Sequence, residues 1–304
     1  LFKNLIVHRI GPAWAANRAE LEAGLAKTVF VPCGATQPVA AGWVPPRGLP
    51  HAPLVESVGA QWLMKLVIEQ RMLPSTVVRR QVEAQAARIE QATGRKPGRR
   101  QIKELKEAAT LELLPRAFTR QVSIQVWMNP KERLLMIDAA SPAKADEVVT
   151  HLVKAVDGLG LVPLHTVQSP AAAMSQWLTS GEPPAGFSVD RECELKSSDE
   201  ARSAVRYARH ALDIDEVRQH VAGGKRPTQL ALTWQGRVSL LLTESMQVRK
   251  IAFLEGVFDG GKPSGDEAFD ADALISTGEL RQLIPALIEA LGGEHEPGAV
   301  ALAA

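Results

Sequence analysis

Thirteen lysines and arginines fall between Lys65 and Arg120 against six glutamates, a local charge of +7 in a chain whose overall balance is +1. Arg95-Lys96-Pro97-Gly98-Arg99-Arg100 puts four cations into six residues, with Arg79 and Arg80 before it and Arg116 after it. Such groups bind phosphates through charge and counterion release, which gives affinity without reading bases. A solvated helix face has the same composition, so both readings stay open here. Two further stations follow. As a strand, Val205 to His210 would set Tyr207 and Arg209 on one face, a pairing suited to stacking plus phosphate contact, with His210 beside it. The same residues suit an edge strand guarded by charge. Gly223-Gly224-Lys225-Arg226-Pro227 is a basic turn whose glycines allow backbone to approach a phosphate chain.

Other chemistries find less support. Residues 259–304 hold nine acids against two bases, a local charge of −7, and Asp270 with Asp272 could hold magnesium as a nuclease requires. Gly256-Val257-Phe258-Asp259-Gly260-Gly261-Lys262 spells the front of a phosphate-binding loop, but Pro263 stands where a hydroxyl must reach magnesium. Gly158-Leu159-Gly160 lacks the third glycine and helix of a dinucleotide site. The seven histidines include no pair four apart, and neither H-E-x-x-H nor G-x-S-x-G occurs. Cys33 and Cys193 are read as reduced core thiols. No metal, no cofactor and no catalytic residue are expected.

These stations need elements to position them. At 304 residues, 45% hydrophobic and 23% charged, the chain is a folded one of about two domains. There is no apolar run of about 18 residues, and the first ten residues read as a strand, so a cytoplasmic location without membrane association is expected. Periodicity predicts helices over 12–25, 142–156, 171–178 and 215–221, and strands over 61–70, 118–127, 133–139, 161–164, 187–196, 201–210, 228–234, 238–243 and 248–254. Val78, Val82, Ala86 and Ile89, then Ile102, Leu105, Ala109 and Leu113, predict a helical hairpin with its basic turn at the tip. A last helix is expected to open at Ser276-Thr277-Gly278-Glu279, a capping box, to be kinked by Pro285 and to stop at Gly292-Gly293. The class is α+β, mixed strand-rich subdomains with an inserted basic hairpin. Residues 1–73 and 119–170 form the first subdomain, 74–118 the tip, and 171–304 a second subdomain with the acidic C-terminal region.

Phe2-Lys3-Asn4-Leu5, Pro32-Cys33-Gly34, Gly42-Trp43-Val44-Pro45-Pro46, Leu113-Leu114-Pro115-Arg116-Ala117-Phe118, Leu230-Ala231-Leu232 with Trp234, Phe269-Asp270-Ala271-Asp272 and Thr277-Gly278-Glu279-Leu280 resemble, in order and spacing, the bacterial recombination-associated RdgC family. The resemblance implies a nucleoid-associated protein that binds double- and single-stranded DNA with little sequence preference and restrains RecA-dependent recombination, at replication forks among other places, by occupying DNA. It also implies a ring-shaped homodimer with a basic hole and a contact between tips. By alignment Phe118 and Arg116 would lie at the tip contact, and Arg209, His210 and Lys225 on the DNA-facing side. A metal-dependent nuclease using the acidic C-terminal residues, and a scaffold binding an acidic partner, are the alternatives.

Overall fold

The computed structural model describes residues 1–197, 203–258 and 266–295. The first part of the chain runs β1 (Ile6–Ile10), α1 (Arg18–Ala26), β2 (Val39–Val44), β3 (Glu56–Val58), β4 (Gln61–Met72), α2 (Ser75–Thr93), α3 (Arg99–Leu113), β5 (Phe118–Asn129), β6 (Leu134–Ile137), α4 (Pro142–Ala155) and β7 (Leu161–Pro163). The second runs α5 (Pro170–Ser180), β8 (Phe187–Ser197), β9 (Ala204–Ala208), α6 (Asp215–Ala222), β10 (Lys225–Trp234), β11 (Val238–Thr243), β12 (Val248–Phe253) and α7 (Asp266–Ala290). The architecture is mixed α and β with two antiparallel sheets.

The first sheet has the order β2-β4-β5-β6-β1-β7, with β3 also on β4. Its strands alternate between two cores because successive side chains point to opposite faces. Met64, Leu66, Val126, Leu135 and Ile137 face one core, covered by Leu21 and Leu25 of α1 and Val148 and Leu152 of α4. Leu63, Trp127, Leu134 and Met136 face the other, shared with the second sheet and α5 and α7. Each such aliphatic side chain, fully buried, contributes roughly 1.5–3 kcal/mol. Buried Trp127 donates Nε1–H to Oε1 of Gln61 at 2.8 Å, so its polar edge is not stranded.

The second sheet has the order β12-β11-β10-β8-β9. Leu230, Leu232 and Trp234 of β10 and Leu240 and Leu242 of β11 turn inward onto α5 and α7. The two sheets are joined through the start of the chain: Leu5 and Val248 exchange backbone hydrogen bonds at 2.7 and 3.0 Å, after which β1 enters the first sheet. Ion pairs from Arg47 to Asp270, Arg237 to Glu279 and Arg9 to Glu294 tie the C-terminal segment back to the body.

Several sequence expectations shift. The helix expected from Pro12 begins at Arg18, because the Asn17 side chain accepts the amides of Ala19 and Glu20 and so fixes the N-terminus there. The expected capping box lies inside α7. Ala273 is fully buried and the helix runs on upstream through it, while the Thr277 hydroxyl donates to the Ala273 carbonyl instead of capping. Pro285 lies within the helix, and Gly292 and Gly293, at φ +82° and +93°, follow its end. Cys193 is buried, its thiol pushed up to about 12 by burial, whereas Cys33 is only half-buried. The loop expected at 259–262 lies outside the described residues, as do positions 201 and 202 of the strand expected over 201–210.

Candidate nucleic-acid interface

β4 and β5 form a long antiparallel ribbon from Trp62 opposite Met128 to Met72 opposite Phe118. The chain between its ends is α2, a turn, α3 and a short 3-10 turn at Leu114–Arg116. The two helices have a small core of their own, Val78, Val82 and Ala109. No residue from Glu83 to Ala108 is buried, so the half of the pair that carries the basic turn has solvent on every side but the one between the helices. At about 1.5 Å per residue, Gly94 stands roughly 18 Å along α2 from Val82. Gly94 closes α2 in the left-handed region at φ +68°, its amide donating to Glu90, and Gly98 opens α3 with no acid in its first turn.

Arg79, Arg80, Arg95, Lys96, Arg99, Arg100 and Arg116 are all exposed. Arg79 meets Glu83 at 3.7 Å and Arg100 meets Glu104 at 3.2 Å, both one helical turn away and solvent-exposed. Pairs of this kind contribute only about 0.3–0.5 kcal/mol and are readily exchanged for a phosphate. Arg80, Arg95, Lys96, Arg99 and Arg116 have no ion pair among the described residues.

The root of the pair is held rigidly by a residue the sequence did not single out. Arg71 donates to the carbonyls of Leu114, Pro115 and Ala117 at 3.2–3.4 Å and to those of Cys33 and Gly34 at 3.2 Å. Buried Glu69 accepts the Cys33 amide at 2.5 Å and the Gln121 amide at 2.9 Å, bonds that hold its carboxyl below the usual range. Burial and the Glu69 carboxylate push the Cys33 thiol up. Phe118 emerges from this clamp 87% exposed, on the same face as Met72 and Arg120. Only the strand alternation of β5 marks Arg120; nothing in the sequence marks Arg71.

The second station differs from its expectation. β9 ends at Ala208, and Arg209 turns out of it at φ +58°, a left-handed backbone that costs a non-glycine residue about 1–2 kcal/mol. Tyr207 is buried in the core, and burial with the nearby Glu216 carboxylate raises its pKa. Tyr207 and Arg209 therefore do not share an exposed face, and no stacking platform forms there. Arg209 and His210 are exposed. Lys225 and Arg226 open β10 rather than standing in a free turn, opposite Ser197 and Lys196 of β8. The His210 amide meets the Arg191 carbonyl of the same strand at 3.2 Å. The two basic pairs thus stand about 20 Å apart at roughly 3.4 Å per residue, one beside the middle of β8 at Arg191 and the other at its C-terminal end. Between them, Glu192 and Glu194 are neutralised by Lys250, Arg206 and Lys196, which hold both carboxyls below the usual range.

A family profile described as "Putative exonuclease, RdgC" matches residues 1–294. The chain is 46% identical over 299 residues to Recombination-associated protein RdgC of Dechloromonas aromatica (strain RCB), covering 96% of this chain and 98% of that protein. The chain belongs to the RdgC family. The same protein of Bordetella pertussis (strain Tohama I) is 43% identical over 296 residues, covering 96% and 98%. Of the acids considered for magnesium in this RdgC-family chain, Asp270 and Asp272 both lie in α7 and are exposed. Asp270 accepts from Arg47, Glu279 from Arg237 and Glu294 from Arg9, and no group of three or more His, Cys, Asp or Glu stands together among the described residues. No helix among the described residues is long and apolar enough to cross a membrane.

Proposed function

We propose that this chain is a DNA-binding protein of homologous recombination that contacts double- and single-stranded DNA through phosphates, without base readout, and restrains RecA-dependent strand exchange by occupying the DNA. The observation that carries the reading is the set of exposed cations without an ion pair among the described residues: Arg95, Lys96 and Arg99 on the distal half of the α2–α3 pair, and Arg209 and Arg226 beside the middle and the C-terminal end of β8. An arm with solvent around it and a charge excess suits a partner that approaches from outside and offers repeating anions. Each phosphate neutralised releases a counterion, which makes binding strong, salt-sensitive and indifferent to sequence.

The reading includes a homodimer that closes around DNA. Phe118 supports it: an aromatic side chain 87% exposed at the end of a rigidly clamped ribbon is an anchor awaiting an apolar partner surface. A closed dimer would leave long DNA only by sliding off an end or opening a contact, so residence would exceed what charge alone provides. Such a protein works at the nucleoid and uses no cofactor. The description of the matching family as an exonuclease favours a second reading, metal-dependent cleavage. Titrating fluorescent duplexes of unrelated sequence with salt, with and without magnesium, separates the two. Equal affinities, a steep salt slope and intact DNA are expected; magnesium-dependent products would replace the first reading with the second.

A further inference from the structure

We propose that the cleft between the end of α5, the start of β8 and the loop 209–214 holds one unstacked nucleobase of a single strand. This rests on the DNA-binding reading above. The cleft has a volume of about 360 Å³ and is lined by Trp177, Pro183 and Leu212 on its apolar side and by Asp190, Arg191 and Asp213 on its polar side. That is the size of a small-ligand site, with an apolar wall and a few placed polar groups. Trp177 is 6% exposed with its ring fixed in the core, so the part that reaches the cleft is a rigid apolar wall against which a base edge can rest at little entropic cost. The Thr233 hydroxyl donates to one carboxylate oxygen of Asp190 at 2.8 Å, and the other oxygen has no partner among the described residues.

Asp213 is paired with Arg218, which leaves Asp190 as the rim acid with an open oxygen, an acceptor for N–H donors. The exocyclic amines of cytosine, adenine and guanine supply such donors, whereas thymine offers only its ring N3–H, flanked by two carbonyl oxygens that a carboxylate repels. The phosphates have their own place, since the loop that walls the cleft at Ala211 to Asp213 begins at Arg209 and His210. At most about 7 Å of backbone separates Arg209 from Ala211. A strand held there by its phosphate has a base within reach of Trp177, but a base paired in a duplex cannot enter, so the site selects single strands.

The test uses the full chain and oligonucleotides of cytosine or thymine, one position carrying 2-aminopurine, with an unrelated duplex as reference. Cytosine strands should bind roughly fivefold tighter than thymine strands, and 2-aminopurine emission should change on binding. Exposed Ala211, replaced as Ala211→Leu, fills the cleft and should weaken cytosine-strand binding about tenfold while duplex affinity stays within roughly twofold. Asp190→Asn keeps the Thr233 bond and should erase the cytosine preference. Duplex binding with unchanged 2-aminopurine emission and no effect of Ala211→Leu would overturn the base site while leaving the DNA reading intact. Absence of duplex binding by the unaltered chain would overturn both.

Discussion

Nη2 of Arg47 donates to Oδ1 of Asp270 at 2.7 Å, joining residues 223 apart in the chain. The same guanidinium holds Glu56 at 3.1 Å and lies 4.7 Å from the centre of the Phe269 ring. Asp270 thereby helps dock α7 against the first sheet's loop. Arg47→Met should lower unfolding stability by about 2–3 kcal/mol, because it leaves Glu56 buried without its charge partner. Asp270→Asn should cost less than about 1 kcal/mol, since that side chain is 52% exposed. Urea unfolding measures both, and a magnesium-dependent cleavage lost in Asp270→Asn would assign the acid to catalysis instead.

The distal cations of α2 and α3 should report on DNA and not on folding. Changing Arg95, Lys96, Arg99 and Arg100 together to glutamine should reduce the slope of log affinity against log salt by about 0.9 for each phosphate contact removed. Stability should move by no more than about 0.5 kcal/mol, because these side chains touch no core. Fluorescence anisotropy over a salt series reads the slope, and an unchanged slope would place the phosphate contacts elsewhere.

Phe118→Ser separates the protomer from its assembly. With 87% of the side chain already in solvent, the substitution should leave the unfolding midpoint of the protomer unchanged. If Phe118 anchors a dimer contact, the same change should weaken self-association by about thirtyfold, the effect expected of an interfacial aromatic hot spot. Sedimentation velocity over a concentration range makes the measurement.

Stability should also fall on mild acidification. His8 is buried in β1 and its pKa is lowered from 6.5 by that burial, with Asp146 opposing; burial likewise lowers His151. Below pH 6.5 the unfolded chain takes up protons that the folded chain does not, so unfolding becomes easier as pH drops from 7 toward 5.5. His8→Gln should flatten part of this dependence in urea titrations at successive pH values.

The periodic parts of this fold were legible because local pattern and tertiary burial agree. The α2–α3 stripes, the alternation of β5 and β6 and the Gly94 stop are each set by residues within one element. The capping box at Ser276 misled because Phe269 and Ala273, upstream of it, also find a place to pack and extend the helix over it. Tyr207 misled for a related reason: alternation assigns it a face, but only the packing of α6 and β8 decides which face is the core. The cations were legible as a segment, not as a surface, since composition cannot tell that Lys225 and His210 stand beside the same strand, one at its C-terminal end and the other at its middle. The Arg71 clamp depends on carbonyls from two distant loops, and no spacing in the chain announces it.

The central claim is that this chain holds DNA by its backbone and stays by surrounding it. The most direct measurement compares dissociation from a linear duplex and from the same duplex closed into a circle, across salt and with magnesium present. The account predicts sequence-independent, salt-sensitive binding, intact DNA and slower loss from the circle. Equal loss from both forms would contradict encirclement, and no binding at moderate salt would contradict the DNA reading itself.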